Sequence, residues 1–475
     1  MPRLSRLLVV WLALFLATTA RAETTVRMYG DFRVQGTYFT NQNFTGWNAT
    51  GTQTEETLTI WQRLRLHVDL AASENLAFRL GLRVNNQTWG TDYLTAANPA
   101  VAIQPYQAYL QFTVPDTRVV VTAGLQPVSL PHTPIFYDSV ILSADSGNND
   151  AAALIVSAPL VADRLTATVG YARLVDTNRT FDPTTRQVDD AFDLALATAA
   201  LTLPGASVTP FGAVGILGKS ANLPGSMANT MRSAGSFVAP TGYADDQAAA
   251  LWAGTAVTVT ALDPVRFYAD LAYGDAGFAD RRRNRRHGWF ADWAVEYTGF
   301  SLFAPQLMAW WSTGEDASLA NGSERLPTIY TAWGPAGSFL FDADQNLTHA
   351  ALATTPQGST GLNLNFNNIN IVSKLTSLAA VSFATGTNSP AGLRKAVGAT
   401  GGPGQYVTMG QDLALGESLL SVATEHVYAL YDSLELIAET GFAHAYGLRE
   451  SIWGRRMTRA AGDAWQGALG LRYRF

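Results

Sequence analysis

Residues 467–475 read "GALGLRYRF". Extended back to position 464, this segment puts Trp465, Gly467, Leu469, Leu471, Tyr473 and Phe475 on one parity, and Ala464, Gln466, Ala468, Gly470, Arg472 and Arg474 on the other. A period of two is a β-strand with two unlike faces. The apolar face carries aromatics at its last and third-last positions, where a soluble domain would normally fray. The expectation is a terminal strand that has to be paired and whose apolar face meets something other than water.

The opposite end of the sequence limits where such a strand can be. "MPRLSRLLVVWLALFLATTARA" combines Arg3 and Arg6, an apolar run from Leu7 to Leu16, and Ala20-Arg21-Ala22 as an A-x-A cleavage site. This is the pattern of a secretory signal peptide, expected to span residues 1–22. The apolar run is about half of the roughly 20 residues a spanning helix needs. Removal of the segment takes away three arginines and no acid, so the formal charge of −6 becomes −9. An exported, mildly acidic chain argues against nucleic acid as a partner.

The 475 residues contain no cysteine, which excludes disulfides, zinc–thiolate sites and iron–sulfur clusters. Forty-one glycines, 51 aromatic residues and only three lysines (Lys219, Lys374 and Lys395) accompany a mean hydropathy of +0.05. No later apolar run reaches helical membrane length. The mature chain is either a large soluble β protein or a membrane barrel whose lipid-facing residues are hidden by alternation.

Strand by strand, the alternation favours the barrel. Val26, Met28, Gly30, Phe32, Val34 and Tyr38 oppose Arg27, Tyr29, Asp31, Arg33 and Gln35. Leu58, Ile60, Leu64, Leu66, Val68 and Leu70 oppose Arg63, Arg65, His67 and Asp69; Leu76, Phe78, Leu80, Leu82 and Val84 oppose Arg79, Gly81, Arg83 and Asn85. These faces persist over about nine or more residues, the length of a tilted membrane-spanning strand. Short turns are expected near 72–75, 115–116, 159–163, 204–207, 262–264, 298–300, 372–375 and 431–433. Long polar loops are expected near 40–55, 86–103, 126–150, 176–190, 218–247, 275–287, 312–361, 387–417 and 447–463. Eight turns and nine loops make 18 antiparallel strands, with 16 as the alternative count, in a single all-β transmembrane barrel over residues 23–475. Such a barrel closes by pairing its last strand with its first. Tyr473 and Phe475 then read as the assembly signal of the closing strand, and Trp289, Trp293, Tyr297 and Tyr106 as outward aromatics at the membrane interfaces.

At "FRLGLRV" (78–84), "YQAYLQF" (106–112) and "GLQPVSLPHTPIFYDSVIL" (124–142) the chain resembles the homotrimeric outer-membrane porins of Desulfovibrio-type bacteria. The similarity runs from the mature N-terminus to about residue 160 and returns in the last strands. The resemblance implies a trimeric diffusion channel in the bacterial outer membrane, with lipid, lipopolysaccharide and the barrel-assembly machinery as partners. It carries no catalytic residue, cofactor or metal ligand, and it does not fix the solute.

Several motifs have plainer explanations. "AVGILGKS" (213–220) fits a relaxed phosphate-loop pattern, but Pro224 and Gly225 break the helix that phosphate binding needs. "GATGGPG" (398–404) reads as a flexible loop. "DADQN" (342–346) starts like a calcium loop but has Leu347 and Ala353 where glycine and glutamate belong. "RRRNRRH" (281–287) is a loop charge run, solvated or facing anionic lipopolysaccharide or incoming anions. Ser129, His132 and Asp138 lie close in sequence without a nucleophile elbow.

The electrostatic pattern is the candidate site. With the second turn centred on Ser73, Arg63 is expected to face Arg83 and His67 to face Arg79. Like charges across a sheet are unfavourable unless water or an acidic partner intervenes. Loop 126–150 offers Asp138, Asp145 and Asp150 and no Lys or Arg. Folded inward, it would oppose a basic wall of Arg33, Arg63, Arg65, Arg79 and Arg83 across the pore constriction. Asp270, Asp292, Glu296, Glu435 and Glu439 also read as lumen-facing. The expected function is a passive, water-filled diffusion channel for small hydrophilic solutes and ions. A substrate-selective channel is the alternative within transport. An outer-membrane barrel hydrolase and a non-conducting structural barrel are the alternatives of other classes.

Overall fold

A computed structural model of the protein describes residues 24–41, 44, 57–90, 94–95, 98–99, 101–144, 150–176, 190–218, 221, 223, 247–277, 285–318, 320–341, 347, 352–399 and 407–475. The signal segment 1–22 lies outside them, as do Asp145, Lys219 and the calcium-like segment 342–346. Eighteen long strands form one antiparallel sheet. They are β1 (Thr25–Thr40), β2 (Thr57–Ser73), β3 (Leu76–Thr88), β4 (Gln104–Thr113), β5 (Val120–Pro127) and β6 (Asp150–Val161). Next come β7 (Leu165–Asp176), β8 (Ala191–Leu203), β9 (Ala206–Gly218), β10 (Gln247–Leu262), β11 (Val265–Gly277) and β12 (Arg285–Tyr297). The last six are β13 (Ala304–Ser312), β14 (Ser359–Ile369), β15 (Leu375–Gly386), β16 (Ser418–Tyr431), β17 (Leu434–Tyr446) and β18 (Ala464–Arg474). All eight short turns and all nine long loops fall where the alternation places them, and the count is 18 rather than 16.

The sheet closes on itself because β1 pairs with β18, from Asp31 opposite Arg474 to Thr40 opposite Trp465. The pairing reaches Phe475, whose carbonyl accepts the Gly30 amide at 2.9 Å and whose amide donates to the Gly30 carbonyl at 3.2 Å. Closure satisfies every strand edge, which a bilayer requires. Gly30 is needed there: a β-carbon would collide with the Arg65 carbonyl oxygen and press on the Phe475 ring.

Parity separates the two faces. On β1, Arg33, Gln35, Thr37 and Phe39 are buried in the lumen, while Phe32 and Tyr38 are exposed on the outside. Trp289 and Trp293 are likewise outward, at 44% and 45% exposure. Tyr106 corrects the expectation of an outward aromatic. A bulge between Gly81 and Leu82 in the β3–β4 pairing turns it inward, where its hydroxyl meets His67 Nε2 at 2.7 Å. The last three residues of the basic run 281–287 are strand rather than loop, since Arg285, Arg286 and His287 begin β12.

Long loops fold into the barrel and share its apolar core with the strands. Residues 128–142 and 326–341 pack against the lumen faces of β8–β14. Trp333 is the centre, with ring centroids 5.4 Å from Phe136, 5.0 Å from Phe290, 5.7 Å from Trp310 and 5.2 Å from Phe341. A smaller second core lies among the long loops, where α1 (Pro390–Ala399) and α2 (Glu450–Trp453) bring Leu393, Val397, Ile452 and Trp453 together. The short α3 (Arg455–Arg459) follows α2.

Candidate pore constriction

Strand register builds a basic sector on the inner faces of β18, β1, β2 and β3. One row runs Glu435, Arg472, Arg33, Arg63 across four neighbouring strands. The next runs Arg474, Asp31, Arg65, Arg83. Two further rows toward the short turns, Asp69 stands opposite Arg79. The facing expected from a turn at Ser73 is therefore corrected. Arg65, not Arg63, faces Arg83, and Arg79 faces Asp69 instead of His67. The hairpin turns at Glu74–Asn75, and a bulge between Ala71 and Ser73 takes back only part of that displacement.

Carboxylates inside the sector make this density of like charge tolerable. Arg63 Nη2 donates to Asp31 Oδ2 at 3.1 Å, and Arg33 Nε lies 3.7 Å from the same oxygen. Arg79 forks onto Asp69 at 2.6 and 2.8 Å and donates to the Tyr109 hydroxyl at 3.0 Å. Arg472 Nη2 reaches Glu435 Oε2 at 2.6 Å. Arg83 has no such fork: Nε reaches Gln104 at 3.4 Å, and its guanidinium sits 5.5 Å from the Tyr106 ring centroid. Arg63 Nε and Arg83 Nη1 are buried without a hydrogen-bond partner. Buried donors of this kind are costly unless something in the lumen accepts from them.

Asp150, at the start of β6, belongs to this sector. It accepts the Gln107 amide at 3.0 Å and lies within electrostatic reach of Arg83 and Arg65. Asp138 does not join it. Its Oδ1 accepts the Ser139 amide at 2.7 Å and lies 3.5 Å from His132 Nε2. The other nitrogen, His132 Nδ1, is 3.0 Å from the Thr133 carbonyl, so neither ring nitrogen is left for Ser129. The sequence did not single out Asp31, Asp69 and Glu435 as the partners of the wall, although all three stand on charged parities.

The opposite sector is acidic and is used to hold loops. In a ring of 18 strands, β11 stands half a turn from β2. Asp270 on β11 accepts the Thr133 amide at 3.0 Å and its hydroxyl at 2.7 Å, pinning loop 126–150 to this wall. Asp292 on β12 accepts Trp333 Nε1 at 2.7 Å. The second inward segment continues toward β17 and β1, where the Leu347 amide donates to Glu439 at 2.7 Å and Phe339 packs 5.7 Å from Phe39. This segment was missed as part of the site. "LPTIYTAWGPAGSFLF" (326–341) is too apolar for an exposed loop, and that was the available signal.

A closed 18-stranded antiparallel barrel with inward-folded loops and a charge-segregated lumen is the fold of outer-membrane porins. No family model matches the sequence, and no curated protein is similar to it. Several solved outer-membrane proteins share this fold. Pseudomonas aeruginosa OccK2 (OpdF) in complex with glucuronate has 12% identity and a TM-score of 0.51, covering 95% of this chain and 98% of that one. Pseudomonas aeruginosa OccK11 (OpdR) has 11% identity and a TM-score of 0.50, with 94% and 96% covered. OpdO from the same organism has 10% identity and a TM-score of 0.50, with 94% and 97% covered.

Proposed function

We propose that the protein is a porin of the bacterial outer membrane, a passive, water-filled channel for small hydrophilic solutes and ions. The observation that carries this reading is the arginine sector of β18–β3, facing a lumen whose far side is filled by loops docked on an acidic wall. A transverse field between such sectors orders water and sorts permeants by charge and dipole. Export by a cleaved signal peptide of residues 1–22, assembly through Tyr473 and Phe475 by the barrel-assembly machinery, a homotrimeric state and membership of the Desulfovibrio-type porins belong to the same reading. So does a narrowest section formed by Arg33, Arg63, Arg65, Arg79 and Arg83, with Asp150 among them, against the loop that carries Asp138 and Asp145.

A second reading, selectivity for acidic solutes, is favoured by the charge count. Arg33, Arg63, Arg65, Arg79, Arg83, Arg472 and Arg474 are set against Asp31, Asp69, Asp150 and Glu435, an excess of three positive charges with Arg63 Nε and Arg83 Nη1 unsatisfied. The structure of OccK2 with glucuronate, an acidic sugar, is consistent with it. Planar-bilayer recordings under a salt gradient test both readings. Neutralising Arg63, Arg65, Arg79 and Arg83 to Gln is expected to move the reversal potential toward cations, and Asp150→Asn toward anions. Both shifts should shrink in 1 M salt, where the Debye length falls from about 8 Å to about 3 Å. A purified, folded barrel that does not conduct would refute the channel. Unchanged reversal potentials in both variants would refute the assignment of the constriction.

A further inference from the structure

Two glutamates face each other inside the barrel where β16 pairs with β17. Glu425 stands directly opposite Glu439, both on the lumen-facing parity. Like charges across a sheet are unfavourable, and buried charges are held by opposite charge or by a metal ion. The lumen-facing positions around the pair, Leu378, Ala423, Ile437, Gly441 and Ala468, carry no charge. The basic residue nearest along β18, Arg472, lies two rows away and is matched there by Glu435.

The second inward segment roofs this spot and leaves a space under it. Phe339 lies on Gly441, where a β-carbon would run into the ring, and Gly337 lies on Leu378. Beneath Gly337 and Phe339 is a cavity of about 20 Å³, lined by Leu378, Glu425, Glu439 and Gln466 and large enough for one water-sized particle. Gln466 is 6% exposed, and its Oε1 is buried without a hydrogen-bond partner. That oxygen can only accept, so what it lacks is a donor or a cation. Glu439 is fixed on its other side: its carboxylate accepts the Leu347 amide at 2.7 Å, and the Leu347 carbonyl accepts the Gln35 side-chain amide.

We infer that this cavity is a binding site for a calcium ion, held by Glu425, Glu439 and Gln466 Oε1, that clamps the second inward segment onto β15–β18. Two carboxylates and an amide carbonyl are the oxygen donors a hard cation takes. Calcium accepts an irregular set of about six to eight oxygens, whereas magnesium demands a near-octahedral one. Among the described residues no three His, Asp or Glu side chains come together, so the amide oxygen and water complete the shell in place of a third acid. Affinity then falls in the weak range of extracellular calcium modules, about 0.1–1 mM. The inference rests on the barrel and its docked segment, not on conduction.

The test uses the full barrel purified in detergent, freed of metal with a chelator and titrated with Ca²⁺ at about pH 8. Isothermal titration calorimetry reads affinity, and hydrogen exchange of residues 337–341 reads clamping. Ca²⁺ is expected to bind and to slow that exchange, and Mg²⁺ to bind more weakly. Glu425→Gln and Gln466→Leu are each expected to weaken Ca²⁺ binding at least about tenfold, since loss of even an outer-shell partner costs about 10–100-fold in metal affinity. Gln466→Glu adds a carboxylate and is expected to tighten it, which keeps the test decisive where a weakening variant fails to fold. The control, Asp432→Asn with Glu450→Gln, removes two exposed carboxylates elsewhere and is expected to bind as the unaltered protein does. Heat-modifiable migration confirms folding. No binding by the unaltered barrel up to about 10 mM Ca²⁺, above the expected range, overturns the inference. So does undiminished binding in both Glu425→Gln and Gln466→Leu, or equal weakening in the control, which would mean an adventitious ion only. Mg²⁺ bound as tightly as Ca²⁺ overturns the assignment to calcium. Whether any variant conducts is read separately and bears only on the channel.

Discussion

Replacing Glu315 by Gln should remove a pH dependence from the long loops. Glu315 follows β13 and is 2% exposed. Its amide donates to Asn388 Oδ1 at 3.0 Å, its carbonyl accepts from Ser389 at 2.7 Å, and its carboxylate accepts the Ser323 hydroxyl at 2.5 Å, tying three loop segments together. Oε2 is buried without a partner. The charged groups around it are Arg325, Arg286 and Glu324, with Arg325 itself held by Asp412 at 2.5 Å. Burial pushes the Glu315 carboxyl up to about 7 from the ordinary 4.5, against the pull of the two arginines. At ~1.4 kcal/mol per pH unit, that gap is worth about 3 kcal/mol. The closed loops hold the proton more tightly than the opened ones. Their stability is therefore greatest below pH 4.5, falls as the pH rises from 4.5 to 7, and is level above 7. Hydrogen exchange of residues 313–325 and 386–397, corrected for intrinsic rates, should show opening about 100-fold more frequent at pH 8 than at pH 4. Glu315→Gln should flatten that difference. Equal protection at both pH values, or an unchanged pH dependence in the Gln variant, would refute the reasoning.

Deleting Phe475, or giving it a charge, should lower the yield of heat-resistant barrel in the outer membrane far more than it alters strand content, because the residue is hydrogen-bonded to Gly30 on the closing strand. A normal yield after deletion would contradict that role. Cysteines at Leu64 or Leu66 should resist a water-soluble thiol reagent, whereas cysteines at Arg63 or Arg65 should react and reduce current; equal labelling would mean that the parity is wrong. Trp333→Ala should loosen the inward loops by about 3–5 kcal/mol, as for other buried large-to-small changes, and raise single-channel conductance. Unchanged conductance with normal folding would show that these loops do not limit flow.

Strand number and topology were legible because alternation and turn chemistry are local signals, and here each turn carries its own Gly, Pro, Asn or Asp. Register was not, because one bulged residue shifts every facing pair. The β2–β3 turn falls at Glu74–Asn75 instead of Ser73 and, with the bulge that follows it, puts Arg65 in place of Arg63 opposite Arg83, and the bulge at Gly81 and Leu82 turned Tyr106 inward. The basic wall was readable as a set of residues, but its partners depend on the register between consecutive strands. Asp31 meets Arg63 across β1–β2, 32 positions apart, and Glu435 meets Arg472 across β17–β18, 37 positions apart. Loop destinations were the least accessible. Nothing near Asp138 in the sequence indicates that its loop will dock on Asp270, 137 residues beyond Thr133.

The packing around Trp333 has a mechanical consequence. Five aromatic rings interlocked at the density of a protein interior deform in steps rather than continuously. The side of the lumen they occupy is a piece of hydrophobic core set inside a pipe, not a flap hanging in a stream. In a channel built this way the bore is a fixed dimension under thermal agitation. Permeability can then be retuned by exchanging single side chains on the β1–β3 wall while the opposing masonry stays as it is.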